Sequence, residues 1–230
     1  RGVVSTASYE ARRFGVHSAQ SIQLAKRLCP ELIIVEPHFQ RYKEVSAHLH
    51  EIFHEYTDLI EPISLDEAFL DVTENKKGIE LAVDIAKEIK QRIYQTTGLT
   101  ASAGVSYCKF IAKIASDWRK PDGLTVIHPD RALDFISRLK VDRIWGVGPK
   151  TAEKMHHMGI FTGLDLRNTP LNQLTEEFGK MGQVFYEFSR GIDSRPVISE
   201  WERKSVSCEQ TFDNNISDNS AVTIQLYHMV

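Results

Sequence analysis

The spacing of apolar residues changes near residue 128, and this change constrains the possible folds more than any other feature of the sequence. Before it, strand-like and helical spacings alternate; after it, helical spacing continues to about Gly191. The predicted order through residue 127 is α-α-β-α-β-β-α-β-α-β, at 8–14, 21–28, 32–35, 39–59, 60–66, 68–73, 79–94, 100–105, 109–118 and 124–127. The β-α-β-β-α-β run within this order is typical of a ferredoxin-like arrangement, an antiparallel sheet with helices. The sequence therefore predicts an α+β fold followed by an all-helical domain.

Local signals refine these boundaries. Ser8 is an N-cap residue before the first helix, and Gly15 lies just past its end. The aliphatic run at 32–35 predicts a short buried strand. Beyond the helical domain, 194–202 is predicted to be an extended linker, and 203–212 is predicted to begin a new strand.

Composition excludes several classes of protein. The 230 residues are 42% hydrophobic and 26% charged, which is typical of a globular protein with a buried core. The longest aliphatic run has four residues, far short of the roughly 20 that a membrane-spanning helix needs. Three distant cysteines, Cys29, Cys108 and Cys208, argue against a disulfide framework or a thiolate zinc site. We therefore expect a cytoplasmic protein without membrane association. The chain opens in a strand-like pattern and closes in a helical one, so we expect a piece of a longer protein, cut at both ends.

Charge is distributed unevenly along the chain, although the net charge is only −3. Residues 1–30 carry five basic residues and one acidic residue, and residues 138–154 carry five basic and two acidic residues. Residues 44–90, between them, carry twelve acids and four lysines. A solvated mixed surface would have this distribution, and so would a metal-binding centre with phosphate-binding walls.

Two adjacent acids, Asp66 and Glu67, fall where the predicted hairpin of 60–73 turns. A desolvated carboxylate needs a proton, a cationic partner or a metal. Carboxylate oxygens suit Mg²⁺, and two such ions are the usual device for nucleotidyl transfer. Successive strand residues point to opposite faces, so both acids can approach one ion only if the backbone bends there. The alternative is a solvated turn with two acids.

A second candidate site is the segment Gly146-Val147-Gly148 followed by Pro149 and Lys150. Two glycines permit a tight turn with exposed N–H groups, and proline suits the first turn of the next helix. A helix N-terminus beside a lysine can bind a phosphate without regard to DNA sequence. The segment therefore predicts a helix-hairpin-helix, although an ordinary interhelical turn has the same pattern.

The pattern His50-Glu51-x-x-His54 matches the zinc-protease motif. No third-ligand extension follows, and both histidines are predicted on the polar face of the 39–59 helix. We interpret them as solvated residues.

Six segments together resemble the Y-family (DinB/UmuC-type) translesion DNA polymerases. The resemblance covers the whole chain in order, at 5–16 (fingers), 61–68 (the carboxylate motif), 100–105 and 109–117 (palm strand and helix), 120–123, and 203–206 (entry to the little finger). It implies fingers at 1–36, a palm at 37–128, a thumb with the helix-hairpin-helix at 129–193, a linker at 194–203 and the start of a little-finger domain at 204–230.

The resemblance also implies roles for individual residues. Asp66 and Glu67 match two of the three carboxylates that hold two Mg²⁺ ions, for which Mn²⁺ can substitute; Asp66 bridges both ions, and Glu67 helps to hold the one that activates the primer 3′-hydroxyl. The third, an aspartate, is expected before Arg1, so we expect this piece alone to be inactive. Triphosphate contacts are implied for Thr6, Tyr9, Arg12 and Lys120, and contacts with the nascent base pair for Val3 and Ser5.

The implied function is templated addition of deoxynucleotides to a primer 3′ end during damage bypass. The implied partners are primer-template DNA, deoxynucleoside triphosphates and, by family analogy, a sliding clamp, with the enzyme a monomer. One rival is a non-catalytic DNA-binding fragment that retains only the thumb contact. A zinc hydrolase and a nucleotide cyclase are further rivals, but a cyclase would not explain the turn at Gly146–Gly148.

Overall fold

The computed structural model describes residues 2–200, 202, 204–212 and 214–229. The chain divides into two compact units, residues 1–40 with 201–230, and residues 41–200. The helices are α1 (Tyr9–Arg13), α2 (Ile22–Leu28), α3 (Phe39–His54), α4 (Ala82–Thr97), α5 (Lys109–Trp118), α6 (Pro129–Arg138), α7 (Pro149–His157), α8 (Gly163–Asn168), α9 (Leu171–Phe178), α10 (Lys180–Phe188) and α11 (Asn219–Met229). The strands are β1 (Ile60–Pro62), β2 (Ala68–Leu70), β3 (Ala103–Val105) and β4 (Leu124–Val126).

Both short helices at the start of the first unit begin at serine caps, of which Ser8 is the predicted one and Ser21 is found in the structure. The Ser8 hydroxyl accepts a hydrogen bond from the Ala11 N–H at 3.2 Å, and the Ser21 hydroxyl accepts one from the Leu24 N–H at 3.2 Å. A small core lies beneath them, formed by Val4, Ala11, Val16, Ala25 and Cys29. The caps satisfy amide groups that helices of five and seven residues otherwise leave without acceptors.

Two predicted strands are wrong. Residues 32–35 form no strand, and Ile33, Ile34 and Val35 are 86%, 48% and 75% exposed. No strand forms at 204–212 either, where Val206 is 82% exposed, and Arg203 lies outside the described residues. An apolar run forms a strand only if the backbone of a second strand pairs with it. Among the described residues, no strand or bridge partner occurs for either segment.

The second unit contains two separate strand pairs. β1 and β2 form the predicted hairpin, with Ile60 opposite Leu70 and Pro62 opposite Ala68. β3 and β4 are parallel, which departs from the single antiparallel sheet predicted for the palm. Helix α5 connects them, and a crossover of this length allows adjacent strands to run in the same direction. The α+β class and the hairpin are confirmed.

Helix α5 packs unusually close to β3 at Gly104. A Cβ atom on Gly104 would lie 2.0 Å from the Ala112 carbonyl oxygen and 2.4 Å from the Ser116 amide nitrogen. Only glycine permits this approach, since side-chain carbons do not come so near to backbone atoms. The apolar side of α5 is buried through Phe110 and Ile111, and this packing fixes the helix against the strand pair.

The region after residue 128 is helical, as predicted, from α6 to α10. Its core includes Ile136, Leu139, Met155 and Leu166, all 1% exposed or less. Phe188 of α10 stacks on Phe110 of α5, with ring centres 4.0 Å apart, so this core also includes the buried side of α5. Among the described helices, none is both long and apolar enough to cross a membrane.

Candidate active site and nucleic-acid interface

The turn between β1 and β2 carries Asp66 and Glu67, as predicted. The Ile63 N–H donates to the Glu67 carbonyl at 2.8 Å and closes the turn. The Ser64 hydroxyl donates to the Asp66 carboxylate at 2.7 Å, which orients that side chain at the exposed tip. Glu67 is half-buried. The backbone therefore bends where the sequence required a bend, and it presents two carboxylates at one end of the hairpin.

A chain of ion pairs runs from Glu67 along helix α5. Lys113 Nζ lies 2.8 Å from the Glu67 carboxylate and 3.7 Å from that of Asp117, one turn along the helix. Asp117 in turn lies 2.6 Å from Lys120 Nζ. The sequence prediction missed Lys113 and Asp117; their i, i+4 spacing on the polar side of an amphipathic helix was the available signal. The structure thus connects Lys120 with the Glu67 carboxylate through Asp117 and Lys113, two residues to which the sequence analysis gave no role.

A buried ion pair lies at the base of the same hairpin and was also missed. Glu61 Oε2 accepts hydrogen bonds from Lys109 Nζ at 2.6 Å and from the Ile198 N–H at 2.9 Å. The two side chains are 10% and 8% exposed. A glutamate next to an isoleucine inside a predicted strand was the available signal in the sequence, because a charge that is buried requires a partner. This pair attaches the segment after α10 to the carboxylate hairpin.

The start of that segment is fixed by Asp193 and Arg195. Asp193 accepts a hydrogen bond from the Phe110 N–H at 2.9 Å and from Arg195 at 2.6 Å and 2.8 Å. Burial raises the pKa of Asp193, but the hydrogen bonds and positive charge of Arg195 outweigh burial and hold that pKa below its usual value. The Arg195 guanidinium stacks 4.6 Å from the centre of the Trp145 ring. Asp193 is therefore ionised at neutral pH.

The residues predicted to contact the triphosphate fall in both units. Thr6, Tyr9 and Arg12 are exposed in the first unit, where the Arg12 guanidinium lies 5.2 Å from the Tyr9 ring centre, so these two side chains share one face of α1. Val3 and Ser5, predicted at the base pair, are also exposed there. In the second unit, Lys120 follows α5 and pairs with Asp117.

The turn at Gly146–Gly148 leads into α7, which begins at Pro149 as predicted. Gly146 has φ +89°, a conformation that favours glycine. Gly148 has φ −84° and ψ 172°, which any residue adopts, so of these two glycines only Gly146 requires glycine for its backbone conformation. A Cβ on Gly148 would meet no atom within 4 Å. Gly148 caps α7 without a side-chain hydrogen bond, and Lys150 is exposed beside it, so the first turn of α7 is open to an anion.

His50 and His54, the two histidines of the zinc-protease pattern, lie in different surroundings. His54 Nδ1 lies 3.2 Å from Asp58, and both side chains are exposed. His50 is half-buried against Phe53 rather than solvated, and burial, followed by the charge of His54, lowers its pKa. No group of three His, Cys, Asp or Glu residues that could hold a metal occurs within the described part of the chain.

Comparison with known proteins identifies the class. The model of the impB/mucB/samB family matches residues 1–117, and that of the DNA polymerase-iota thumb domain matches residues 142–193. The chain belongs to the impB/mucB/samB family, the Y-family of DNA polymerases. DNA polymerase IV of Bacteroides fragilis is 63% identical over 229 residues, and that of Akkermansia muciniphila is 57% identical over 226 residues. The matches cover 100% and 98% of this chain but only 63% of each relative, so the chain spans less than two thirds of their length.

Solved structures agree with this assignment. DinB from Sulfolobus solfataricus has a TM-score of 0.79 at 34% identity, over 85% of this chain and 58% of that one. An insertion ternary complex of Dbh DNA polymerase has a TM-score of 0.78 at 34% identity, over the same shares of the two chains. The predicted family and fold class are confirmed.

Proposed function

We propose that this chain supplies the fingers, palm and thumb of a translesion DNA polymerase. The reaction is templated addition of deoxynucleotides to a primer 3′ end by two-metal nucleotidyl transfer. The observation that supports this most strongly is the Asp66–Glu67 pair, held at the end of a hairpin with Lys113 against Glu67, in a chain that is 63% identical to a DNA polymerase IV. We retain the predicted boundaries of fingers 1–36, palm 37–128, thumb 129–193, linker 194–203 and start of the little finger 204–230.

The hairpin carboxylates fit divalent metal ions. Asp66 and Glu67 supply the oxygen donors that Mg²⁺ prefers, and the exposed position of Asp66 allows it to contact both ions, with Glu67 at one of them. When bound, such ions neutralise phosphate charge and promote loss of the proton from the primer hydroxyl. Before binding, Lys113 neutralises Glu67, so the turn does not carry two unpaired carboxylates. Mn²⁺ can replace Mg²⁺ at a site with these donors.

The remaining predicted residues receive matching roles. Arg12, with its guanidinium above Tyr9, and Thr6 contact the triphosphate from the fingers, and Lys120 contacts it from the palm. Exposed Val3 and Ser5 cover the nascent base pair. The backbone of Gly146, Val147 and Gly148, with Lys150, holds a phosphate of the DNA duplex. The polymerase acts as a monomer in the cytoplasm, and by family analogy it binds a sliding clamp.

The decisive experiment is primer extension by a chimera in which this chain replaces the matching 229 residues of the Bacteroides fragilis DNA polymerase IV. Extension with Mg²⁺ at a rate near that of the unmodified relative is expected. A chimera that binds primer-template DNA but adds no nucleotide would instead support the non-catalytic DNA-binding alternative. A primer with a dideoxy terminus is the control for addition at the 3′-hydroxyl.

Metal binding is testable on the chain itself. Mn²⁺ is expected to bind weakly at the hairpin, and Asp66→Asn is expected to remove this binding because it deletes one of two adjacent charges. Calorimetry or the electron paramagnetic resonance signal of free Mn²⁺ measures it. Asp84→Asn, at an exposed carboxylate of α4, is the matched control. Unchanged Mn²⁺ binding in Asp66→Asn would show that the ion binds elsewhere.

DNA binding tests the thumb turn. Gly148→Val is expected to leave the fold intact, since the new side chain meets no atom, and to weaken duplex affinity about tenfold by obstructing a charge-assisted hydrogen bond worth about 1.5 kcal/mol. Lys150→Ala is expected to weaken affinity less and to lower the slope of log affinity against log salt by about one. Fluorescence anisotropy measures affinity, and circular dichroism verifies folding. If Gly148→Val and wild type bind duplex DNA with equal affinity, the turn is not part of the DNA interface.

A further inference from the structure

Lys90 of helix α4 is a cation to which none of the roles above applies. Its side chain is only 16% exposed, and Ile89, which precedes it, is buried in the core of the second unit. A cation that is mostly shielded from water needs acceptors close to it. The acceptors of Lys90 lie 32 and 33 residues further along the chain, so this lysine holds a distant segment.

That segment is the loop 119–123, which connects α5 with β4. Lys90 Nζ donates to the Asp122 carbonyl at 2.6 Å and to the Gly123 carbonyl at 3.3 Å, and it lies 3.0 Å from the Asp122 carboxylate. Three oxygens of two adjacent residues therefore converge on one ammonium group, which has three N–H donors. The same loop carries Lys120, the residue proposed to contact the triphosphate from the palm.

The backbone of this loop is folded tightly. Asp122 has φ +51°, a left-handed conformation that is uncommon for residues other than glycine. A Cβ atom on Gly123 would lie 2.2 Å from the Arg119 carbonyl oxygen, so the loop folds back against the end of α5 at a distance that requires glycine. A backbone in such a conformation persists only where surrounding contacts hold it, and Lys90 supplies contacts at Asp122.

A second set of contacts holds only the end of the loop that joins β4. The Gly123 N–H donates to the Ser102 hydroxyl at 3.1 Å, and the Gly123 carbonyl accepts a hydrogen bond from the Ala103 N–H at 2.9 Å. These two bonds fix the start of β4 beside β3. Lys90 extends the support by one residue, to Asp122, and thus toward the centre of the loop.

Lys120 lies between two charged contacts. Asp117, at the end of α5, is 2.6 Å from the Lys120 ammonium, and Lys90 holds the backbone of Asp122, two residues after Lys120. Without Lys90, the Asp122 carbonyl would lose a charge-assisted hydrogen bond, and the loop would be able to relax from its left-handed conformation. The Lys120 side chain would then start from a different backbone position, and a displacement of about 1 Å is enough to weaken such a contact.

We propose that Lys90 is a positioning residue for the incoming deoxynucleoside triphosphate. It fixes the loop 119–123 and, through the loop, the contact of Lys120 with the phosphates. Lys90 acts on the backbone and not by touching the nucleotide, so its effect on nucleotide affinity depends on Lys120. The inference rests on the proposed function and adds to it a residue on α4, a helix to which no site residue was assigned.

Nucleotide affinity of the chimera with the Bacteroides fragilis relative tests the proposal. The chimera is bound to primer-template DNA with a dideoxy primer terminus, which prevents the reaction, and a fluorescent 2-aminopurine in the template reports binding of the next nucleotide. Lys90→Met is expected to weaken nucleotide binding about tenfold and to leave DNA affinity unchanged. Lys90→Arg, which keeps the charge and the donors, is expected to restore most of the affinity.

Two further variants make the result specific. Lys87→Met removes an exposed lysine one turn earlier in the same helix and is expected to bind nucleotide like wild type. Lys90→Met combined with Lys120→Ala is expected to bind within about twofold of Lys120→Ala alone, because both substitutions act on one contact. An equal loss from Lys90→Met with and without Lys120 would show general support of the palm and would overturn the proposal. Unchanged nucleotide affinity in Lys90→Met would overturn it as well.

Folding and catalysis are measured separately. Circular dichroism verifies that Lys90→Met folds; if it does not, Lys90→Gln, which is neutral but keeps a donor, replaces it with the same expectations. Failure of both variants to fold would assign Lys90 a purely structural role and would contradict the proposal. Primer extension by the wild-type chimera tests the polymerase function itself, so the role of Lys90 can fail while that function stands. Absence of nucleotide binding by the wild-type chimera would contradict both.

Discussion

Replacement of Asp66 by asparagine in the polymerase chimera is expected to lower the rate of primer extension by at least about 1,000-fold. That loss corresponds to about 4 kcal/mol of activation free energy, which is reasonable for a carboxylate proposed to contact both catalytic ions. The substituted side chain would retain the shape of the original and a hydrogen bond with Ser64, so the hairpin should keep its structure. Single-turnover extension at saturating nucleotide measures the effect.

Two controls make this result specific. Asp84→Asn removes an exposed carboxylate from α4 and is expected to extend primers at the wild-type rate. Duplex affinity of the Asp66→Asn chimera, measured with Mg²⁺ absent, is expected to be unchanged. Extension within about tenfold of wild type would exclude Asp66 as a metal ligand, whatever the DNA affinity.

The second large effect concerns stability. Glu61→Ala is expected to lower the free energy of unfolding by about 3–5 kcal/mol, because it leaves the Lys109 ammonium buried without its counter-charge and the Ile198 N–H without an acceptor. Urea denaturation followed by circular dichroism measures it. Glu55→Ala breaks an equally short ion pair with Arg92, in which both side chains are more than a third exposed, and is expected to destabilise the fold far less than Glu61→Ala.

A double variant separates the buried charge from the loss of packing. Glu61→Met/Lys109→Met removes both charges, so it is expected to recover much of the stability that Glu61→Ala loses. Protease sensitivity in 195–200 should nevertheless increase in both variants, since neither offers an acceptor to Ile198. A loss below about 1 kcal/mol for Glu61→Ala would mean that Lys109 reaches solvent when its partner is removed.

Much of the fold followed from local chemistry in the sequence. Helix α5 has the predicted bounds because its apolar residues recur at helical spacing and Pro121 lies just beyond its end. The hairpin also forms as predicted, since alternating strands flank a turn that carries Asp66 and Glu67. The aliphatic run at 32–35 misled the prediction, because burial of a strand depends on a pairing partner that local sequence does not reveal.

The candidate site was predicted less completely than the fold. Adjacent acids in an apolar hairpin are conspicuous, but Lys113, the partner of Glu67, is 46 residues away from it, a separation that no local pattern can identify. The same holds for Glu61 and Lys109, 48 residues apart. The two glycines of the thumb turn look equivalent in sequence, yet Gly146 needs its positive φ and Gly148 does not. Long-range pairs and backbone angles therefore required the structure.

The close approach of β3 to α5 makes position 104 informative for comparing related sequences. Because a single added carbon at Gly104 would collide with the backbone at Ala112 and Ser116, any larger residue there must be accompanied by an outward shift of the helix. Such a shift would carry Lys113 away from Glu67 and Asp117 away from the present position of Lys120. A relative that lacks this glycine should therefore also lack the ion pairs Lys113–Glu67 and Lys120–Asp117. The residue at position 104 thus indicates, from a sequence alone, whether these ion pairs form.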